Sequence, residues 1–232
     1  RLVFSVASYL EMMGNGYVWI STDWLSSVVD SHSPLPSERM SEMHGVLALR
    51  QHTPDSNAKR AFISRWKNIT RGSLGLNAYG LYAYDSVWIL AQALDEFLNQ
   101  GGSISFSADL RVRALHATGL HLEAMHVFDG GQALLNNILR TDLMGLTGPL
   151  KFDTERSRVH PAYDIINLVG NGYLQVGYWS NYSGLSIVPP ETLYRMPPNR
   201  SSANQHLRNV IWPDGTTGKP RGWVFPNSGK QL

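Results

Sequence analysis

The sequence predicts an α/β fold, and three stretches carry that reading. Residues 2–13 pattern as a helix, Gly14-Asn15-Gly16 stops it, and Tyr17-Val18-Trp19-Ile20-Ser21-Thr22 follows as a short, β-prone apolar run. Helix, tight turn and buried strand make up the repeating unit of a parallel sheet. Residues 78–99 form the second stretch, a long amphipathic helix. The third is the pair of runs 163–168 and 173–179 around Gly170-Asn171-Gly172, which is a hairpin signature.

In the first helix Val3, Ala7 and Leu10 share a face. A second strand is predicted over 46–49, after a Ser/Pro-rich loop around Pro34 and Pro36. Pro54-Asp55-Ser56-Asn57 supplies helix-starting chemistry, with Ser56 or Asn57 as the N-cap. The helix behind it sets Ala58, Phe62, Arg65 or Trp66, and Ile69 on one side, until Gly72 and Gly75 break the pattern. In the long helix Leu81, Tyr84, Trp88, Ala91, Leu94 and Leu98 recur at three- and four-residue steps, and Gly101-Gly102 closes it. Residues 103–128 show no decisive period. A further helix begins near Gly130 and carries Leu134, Leu135, Ile138 and Leu139. Gly145-Leu146-Thr147-Gly148-Pro149 reads as a turn, 150–152 as a short strand and 153–160 as a polar loop. From Pro189 onward the prolines at 189, 190, 197, 198, 213, 220 and 226 argue against regular structure. Between Arg195 and Leu232 six basic residues (Arg195, Arg200, Arg208, Lys219, Arg221, Lys230) face one acid, Asp214. The tail therefore reads as a tether with little core of its own. No repeat of fixed period occurs.

Composition narrows the function classes. Apolar residues at 43%, with seven Trp and ten Tyr, supply a core and exclude disorder. A formal charge of +2 without a dense Lys/Arg face argues against nucleic acid. The absence of cysteine removes disulfides, thiolate metal sites and Cys nucleophiles. No run reaches the ~20 apolar residues of a membrane span; the most apolar, 81–98, carries Asp85, Asp95 and Glu96. Sequons at Asn68, Asn181 and Asn199 are glycan acceptors if the chain is secreted. The chain opens on Arg1 without a signal-peptide pattern, which reads as a piece cut from something longer.

Catalytic patterns fail one by one. Ser64-Arg65-Trp66-Lys67 has the spacing of a serine acyl-enzyme but lacks the partner motifs. Gly215-Thr216-Thr217-Gly218-Lys219 looks like a phosphate loop, yet Pro213 stands where the outer glycine belongs, so it reads as a proline-flanked turn. His116, His121 and His126 are five residues apart, a step that on a helix rotates each by about 140° from the last, so they do not converge on a metal. Neither Gly14-x-Gly16 nor Gly170-x-Gly172 completes a dinucleotide fingerprint. No catalytic residue, cofactor or metal is expected, and the chain is read as not an enzyme.

Polar chemistry at the end of a strand is more suggestive. Thr22-Asp23-Trp24 follows the first strand directly, and in open α/β sheets ligands bind beyond the carboxyl ends of strands. An Asp there can hold an ammonium and a Trp can wall the site. In the plainer reading Asp23 caps the next turn and Trp24 is core. On the long helix Tyr79, Tyr82 and Asp85 sit near its start, with Asp85 on the flank of the apolar stripe. Spacing leaves open whether Asp85 faces a cleft or pairs locally.

Several stretches together resemble plant glutamate-receptor-like channels in their amino-terminal extracellular region. They are VWISTDWL at 18–25, YGLYAYDSVW at 79–88, GLTGPLKFD at 145–153, YDIIN at 163–167, GYWSNYSGLS at 177–186, IWPDG at 211–215 and KPRGWVFP at 219–226. The resemblance runs in order along nearly the whole chain. It implies a type I periplasmic-binding-protein-like clamshell, two α/β lobes closing on a cleft, of which this chain is the C-terminal half followed by an irregular linker. Residues 1–50 then belong to lobe 2, 51–160 to lobe 1 and 161–190 to the return into lobe 2. Residues 191–232 are the linker toward a membrane-proximal ligand-binding domain. The resemblance also implies a receptor segment of a ligand-gated cation channel, acting in ion transport and calcium signalling. Its place would be the extracellular side of the plasma membrane, in a multi-pass parent that assembles as a homo- or hetero-tetramer of subunits. The ligand would be a small molecule such as an amino acid, with Thr22, Asp23, Trp24, Tyr79, Tyr82 and Asp85 as cleft candidates. In relatives the Asp of such a turn holds the ligand's amino group. Tyr79 departs from them, being aromatic where a basic residue can serve the ligand carboxylate. Two rivals are a free-standing solute-binding protein of a transporter and a ligand-free assembly domain.

Overall fold

A computed structural model describes residues 2–32, 35–108, 126–170, 172–198, 205–218 and 220. Its helices are α1 (Leu2–Tyr9), α2 (Asp23–Ser31), α3 (Ser37–Glu42), α4 (Asn57–Thr70), α5 (Ala78–Asn99), α6 (Gly131–Arg140) and α7 (Pro190–Leu193). Its strands are β1 (Ile20–Ser21), β2 (Leu47–Gln51), β3 (Phe106–Ala108), β4 (His126–Phe128), β5 (Asp142–Gly145), β6 (Gly148–Lys151), β7 (Ala162–Val169), β8 (Gly172–Ser180) and β9 (Gly184–Ser186). The chain divides into two compact units, residues 1–79 with 160–232, and residues 80–159. Helix α4, within the stretch 51–160 expected to belong to one lobe, lies in the first of these units.

The first unit is built on a mixed sheet in the order β1-β2-β7-β8-β9. β1 and β2 run parallel, with Ile20 opposite Leu47; the other neighbours are antiparallel. Alternation along β2 and β7 sends successive side chains to opposite faces. Val46, Ala48, Ile166 and Leu168 join Phe4, Leu25, Val29, Met40 and Met43 in one core cluster, under α1 to α3. Leu47 and Ile165 join Val176 and Val210 in another. Ser26, buried on α2, lies within bonding distance of Asp23 O (2.8 Å) and Leu49 O (3.0 Å), tying that helix to β2. The hairpin β7–β8 forms as the Gly-Asn-Gly signature predicts, with Val169 opposite Gly172.

The first helix stops at Tyr9 and not at residue 13, because Glu11 takes a left-handed φ of 59° and the Met12 N–H bonds Ala7 O at 2.8 Å. The strand expected over 17–22 is ladder-paired only at Ile20–Ser21, and Tyr17, Val18 and Ile20 are exposed, since β1 has a neighbour on one side alone. Helix α4 starts at the predicted cap, Ser56, which accepts Lys59 N–H at 3.1 Å, yet none of its residues is buried. Pro190 does not forbid order: it occupies the first turn of α7, where its missing N–H would have lacked an intrahelical partner anyway. Nor is the described tail an idle tether. Val210 is buried, Leu207 and Trp212 pack on the same cluster, and Arg208 N–H bonds Val176 O at 2.7 Å. These residues carry no period, so no pattern marks them as a roof over the sheet. The segment 212–216 closes as the expected turn, Trp212 N–H to Thr216 O at 2.9 Å.

In the unit of residues 80–159, α5 has the predicted bounds but buries another face. Leu81, Asp85, Ala93 and Phe97 are buried, whereas Tyr84, Trp88, Leu94 and Leu98 of the expected stripe are exposed. β5 and β6 pair as a hairpin through Leu146-Thr147; sequence pattern finds the turn and part of β6 but not β5, which alternates weakly. β3 and β4 form a small antiparallel pair out of the ambiguous stretch. His116 and His121 lie outside the described residues.

Candidate functional site

Thr22 is the N-cap of α2, its backbone extended and its side chain making no capping bond. Asp23 and Trp24 therefore open the helix directly beyond the end of β1, as an αβ unit places them. Trp24 is 53% exposed and so is not core. Tyr79, 52% exposed, donates its phenol to Asp23 Oδ2 at 2.7 Å. That bond and the Asp23 charge raise the Tyr79 pKa, which keeps the phenol protonated and donating. Four of the named residues thus form one local group: a carboxylate held by a phenol, with an indole beside it. Such a group offers an anionic oxygen bound by a phenol, with an exposed indole on the next residue of the helix.

The other two named residues belong to the unit of residues 80–159, and each has a local partner. Asp85 is 2% exposed and accepts three hydrogen bonds from the β5–β6 turn. Leu146 N–H reaches Oδ1 at 2.8 Å; Thr147 N–H and Thr147 Oγ1 reach Oδ2 at 2.8 and 2.6 Å. Spacing left open whether Asp85 faces a cleft or pairs locally; its partners here belong to a turn some sixty residues further along the chain. Tyr82 accepts Arg158 Nη1 at 2.8 Å, and the guanidinium lies over its ring, 5.2 Å from the centroid. Arg158 Nη2 also donates to Thr147 O at 2.6 Å, so Tyr82, Arg158, Thr147 and Asp85 form one chain of contacts around the turn.

A charged cluster in the first unit was not singled out by spacing. Asp164 lies mid-strand in β7. Its Oδ2 accepts Arg50 Nε at 3.2 Å and Nη2 at 3.1 Å, and its Oδ1 meets His52 Nδ1 at 2.6 Å. Arg50 Nη1 also donates to the Tyr173 phenol at 2.8 Å, while His52 Nε2 meets Glu191 Oε2 at 3.0 Å. Burial works to lower the His52 pKa, but its bond to Asp164 and the charges of Asp164 and Glu191 outweigh burial and raise it. Burial raises the Asp30 carboxyl, against the pull of Arg50, and lowers the Lys59 ammonium. A signal was present in the sequence: a lone acid inside the apolar run 163–168 calls for a cation.

Among the described residues no group of three or more His, Asp or Glu is placed to hold a metal, and no helix is long and apolar enough to cross a membrane. Asn68, in the last turn of α4, and Asn181, after β8, are exposed; Asn199 lies outside the described residues.

The family described as receptor family ligand binding region matches residues 1–171. The chain is 51% identical to glutamate receptor 3.2 of Arabidopsis thaliana and 50% identical to glutamate receptor 3.1 of Oryza sativa subsp. japonica, each over 100% of this chain. It is 50% identical to glutamate receptor 3.4 of Arabidopsis thaliana over 99% of this chain. The chain covers only 26%, 25% and 24% of these relatives, about a quarter of their length.

Proposed function

This chain belongs to the receptor family ligand binding region, and from that premise we propose that it works as part of the extracellular sensing region of a glutamate-receptor-like, ligand-gated cation channel. The observation that carries the reading is half-identity to glutamate receptors over the entire chain, tail included. On this reading the chain holds or relays a signal and transforms nothing. Closure of a two-lobed shell biases a gate only when a ligand binds the open and closed forms unequally. Partner subunits assemble a tetramer, and the membrane spans lie elsewhere in the parent.

The group Thr22, Asp23, Trp24 and Tyr79 is the part of the chain we assign to ligand. An exposed carboxylate-aromatic group suits a cationic amine, such as the ammonium of an amino acid. The test is the full-length receptor carrying Asp23→Ala. Loss of the response to amino acids, at normal surface expression, is the expected result; an unchanged dose-response curve removes the assignment. One observation favours a second reading, the ligand-free assembly domain: Tyr79 already holds one Asp23 oxygen, so an ammonium must compete with a phenol for it. Absence of both heat and thermal shift when the intact two-lobe domain is titrated with amino acids selects that reading.

A further inference from the structure

His52 lies just past the end of β2 with each ring nitrogen facing a carboxylate oxygen, Asp164 Oδ1 at 2.6 Å and Glu191 Oε2 at 3.0 Å. A neutral imidazole donates from one nitrogen only; the imidazolium donates from both. With both acceptors ionised, the double contact is complete only when the ring carries its proton. The two acids sit in different places. Asp164 is internal to β7, anchored by Arg50, whereas Glu191 stands on α7, the first element after the sheet. We propose that His52 is a proton-operated clasp between the sheet and α7, closed when the ring is charged and loosened at Glu191 when the proton leaves.

The surroundings fit that role. Asp164 faces the ring from β7, Glu191 from α7, and the Tyr178 ring of β8 meets it edge-on at 5.5 Å. Arg50 lies on the same strand, bonded to Asp164; Asp30 of α2 pairs with Arg50. Lys59 of α4 is turned to Thr53, its ammonium on Thr53 O and Oγ1 at 2.7 Å each. The charge of Arg208, in the tail, acts on Tyr178. Among the described residues, the charged groups in direct contact with the ring are two acids and no cation. Arg50 holds the Asp164 carboxylate in place with two hydrogen bonds, so when the proton goes the imidazole retains its bond to Asp164 and the other arm fails. That arm is also the more exposed, Glu191 being 46% accessible against 10% for Asp164. The far end of α7 has a separate hold: Tyr194 stacks on His160 at 4.4 Å and donates its phenol to His160 O at 3.2 Å. With the Glu191 arm gone, α7 and the turn behind it are held through Tyr194 alone, and the turn opens more often.

The direction follows from linkage. The folded pKa of His52 lies above its ordinary ~6.5, so the clasp contributes in full below that value and is lost as pH rises through the raised one. The inference stands independently of any ligand at Asp23. It is tested on the full chain by following the His52 ring resonances by NMR from about pH 5 to about pH 9, in wild type and Glu191→Gln. Tryptic cleavage after Arg195, in the turn behind α7, is followed in parallel and normalised to an unstructured reference peptide. The expected result is a wild-type titration above the ordinary imidazole value, with cleavage rising across the same interval by about fivefold at most, the scale of one half-exposed ion pair. Glu191→Gln lowers the titration point and leaves cleavage fast throughout. Because Glu191 is half-exposed the variant folds, and the wild-type titration needs no variant at all. A His52 that titrates at or below the ordinary value overturns the clasp, as does a Glu191→Gln chain indistinguishable from wild type in both readouts.

Discussion

In the unit of residues 80–159 the most deeply buried of the described residues include three polar ones, Thr147, Asp85 and Asn137, beside Ala93; in the five-stranded unit Met40, Val46, Ile166 and Leu168 are among the most deeply buried. The first arrangement rests on direction: three donors aimed at Asp85, and Arg158 strapped over Thr147, Pro149 and Tyr82. The second rests on area, two apolar clusters served by alternate residues of the same strands. A helix as apolar as α5 can expose most of its predicted stripe and still be held, because a polar tie from Asp85 to a hairpin adds to the burial of Leu81, Ala93 and Phe97. Glycine follows the same division. At Gly45, φ +80°, a Cβ would meet the backbone of Trp212 and Pro213; at Gly145 it would meet the Asp85 carboxylate. One glycine admits a chain segment onto an apolar core and the other admits an ion to a turn.

The contrast can be broken by substitution. Ile166→Ala, at a site with 0% exposure, should cost about 4 kcal/mol in chemical denaturation, with the loss confined to amides of the sheet in hydrogen exchange. Asp85→Ala should cost about 3 kcal/mol, because buried donors at Leu146 and Thr147 are left unpaired. Its exchange signature should fall on the β5–β6 turn. If both variants accelerate the same amides, the two units open together and the distinction between them has no energetic content. Lys151→Ala sharpens the point from below: its ion pair with Asp142 at 2.8 Å joins two exposed side chains, so the change should stay under about 0.5 kcal/mol. A larger effect would mean that the second unit depends on surface charge as well as on its buried tie.

What could be read in advance divides along the same line. Elements that bury a periodic face or end on a turn signature were legible: β2, the β7–β8 hairpin, the Ser56 cap and the bounds of α5. Elements whose role depends on a partner distant in sequence were not. Asp85 meets a turn some sixty residues away, Asp164 meets residues more than a hundred away, and Val210 covers a strand it follows at a distance. Periodicity says which face of α5 is greasy; only the hairpin decides which face is covered. At the candidate site, the chain placed Thr22, Asp23 and Trp24 at the end of β1 through the αβ pattern alone. That Tyr79 would reach across to Asp23 had no local signature, since fifty-six positions separate them.

Asn167 sits in the interior of β7 and grips the tail twice, Nδ2 to Ile211 O at 3.0 Å and Oδ1 from Ile211 N–H at 2.9 Å. A single side-chain amide thereby does what a neighbouring strand would do, presenting a donor and an acceptor in the spacing of a backbone pair. A pull along the tail is consequently delivered to the middle of the sheet, where strands shear together, instead of to a rim where they peel one by one. Load arriving from beyond Trp212 therefore meets the sheet at the point where a lone amide stands in for a strand.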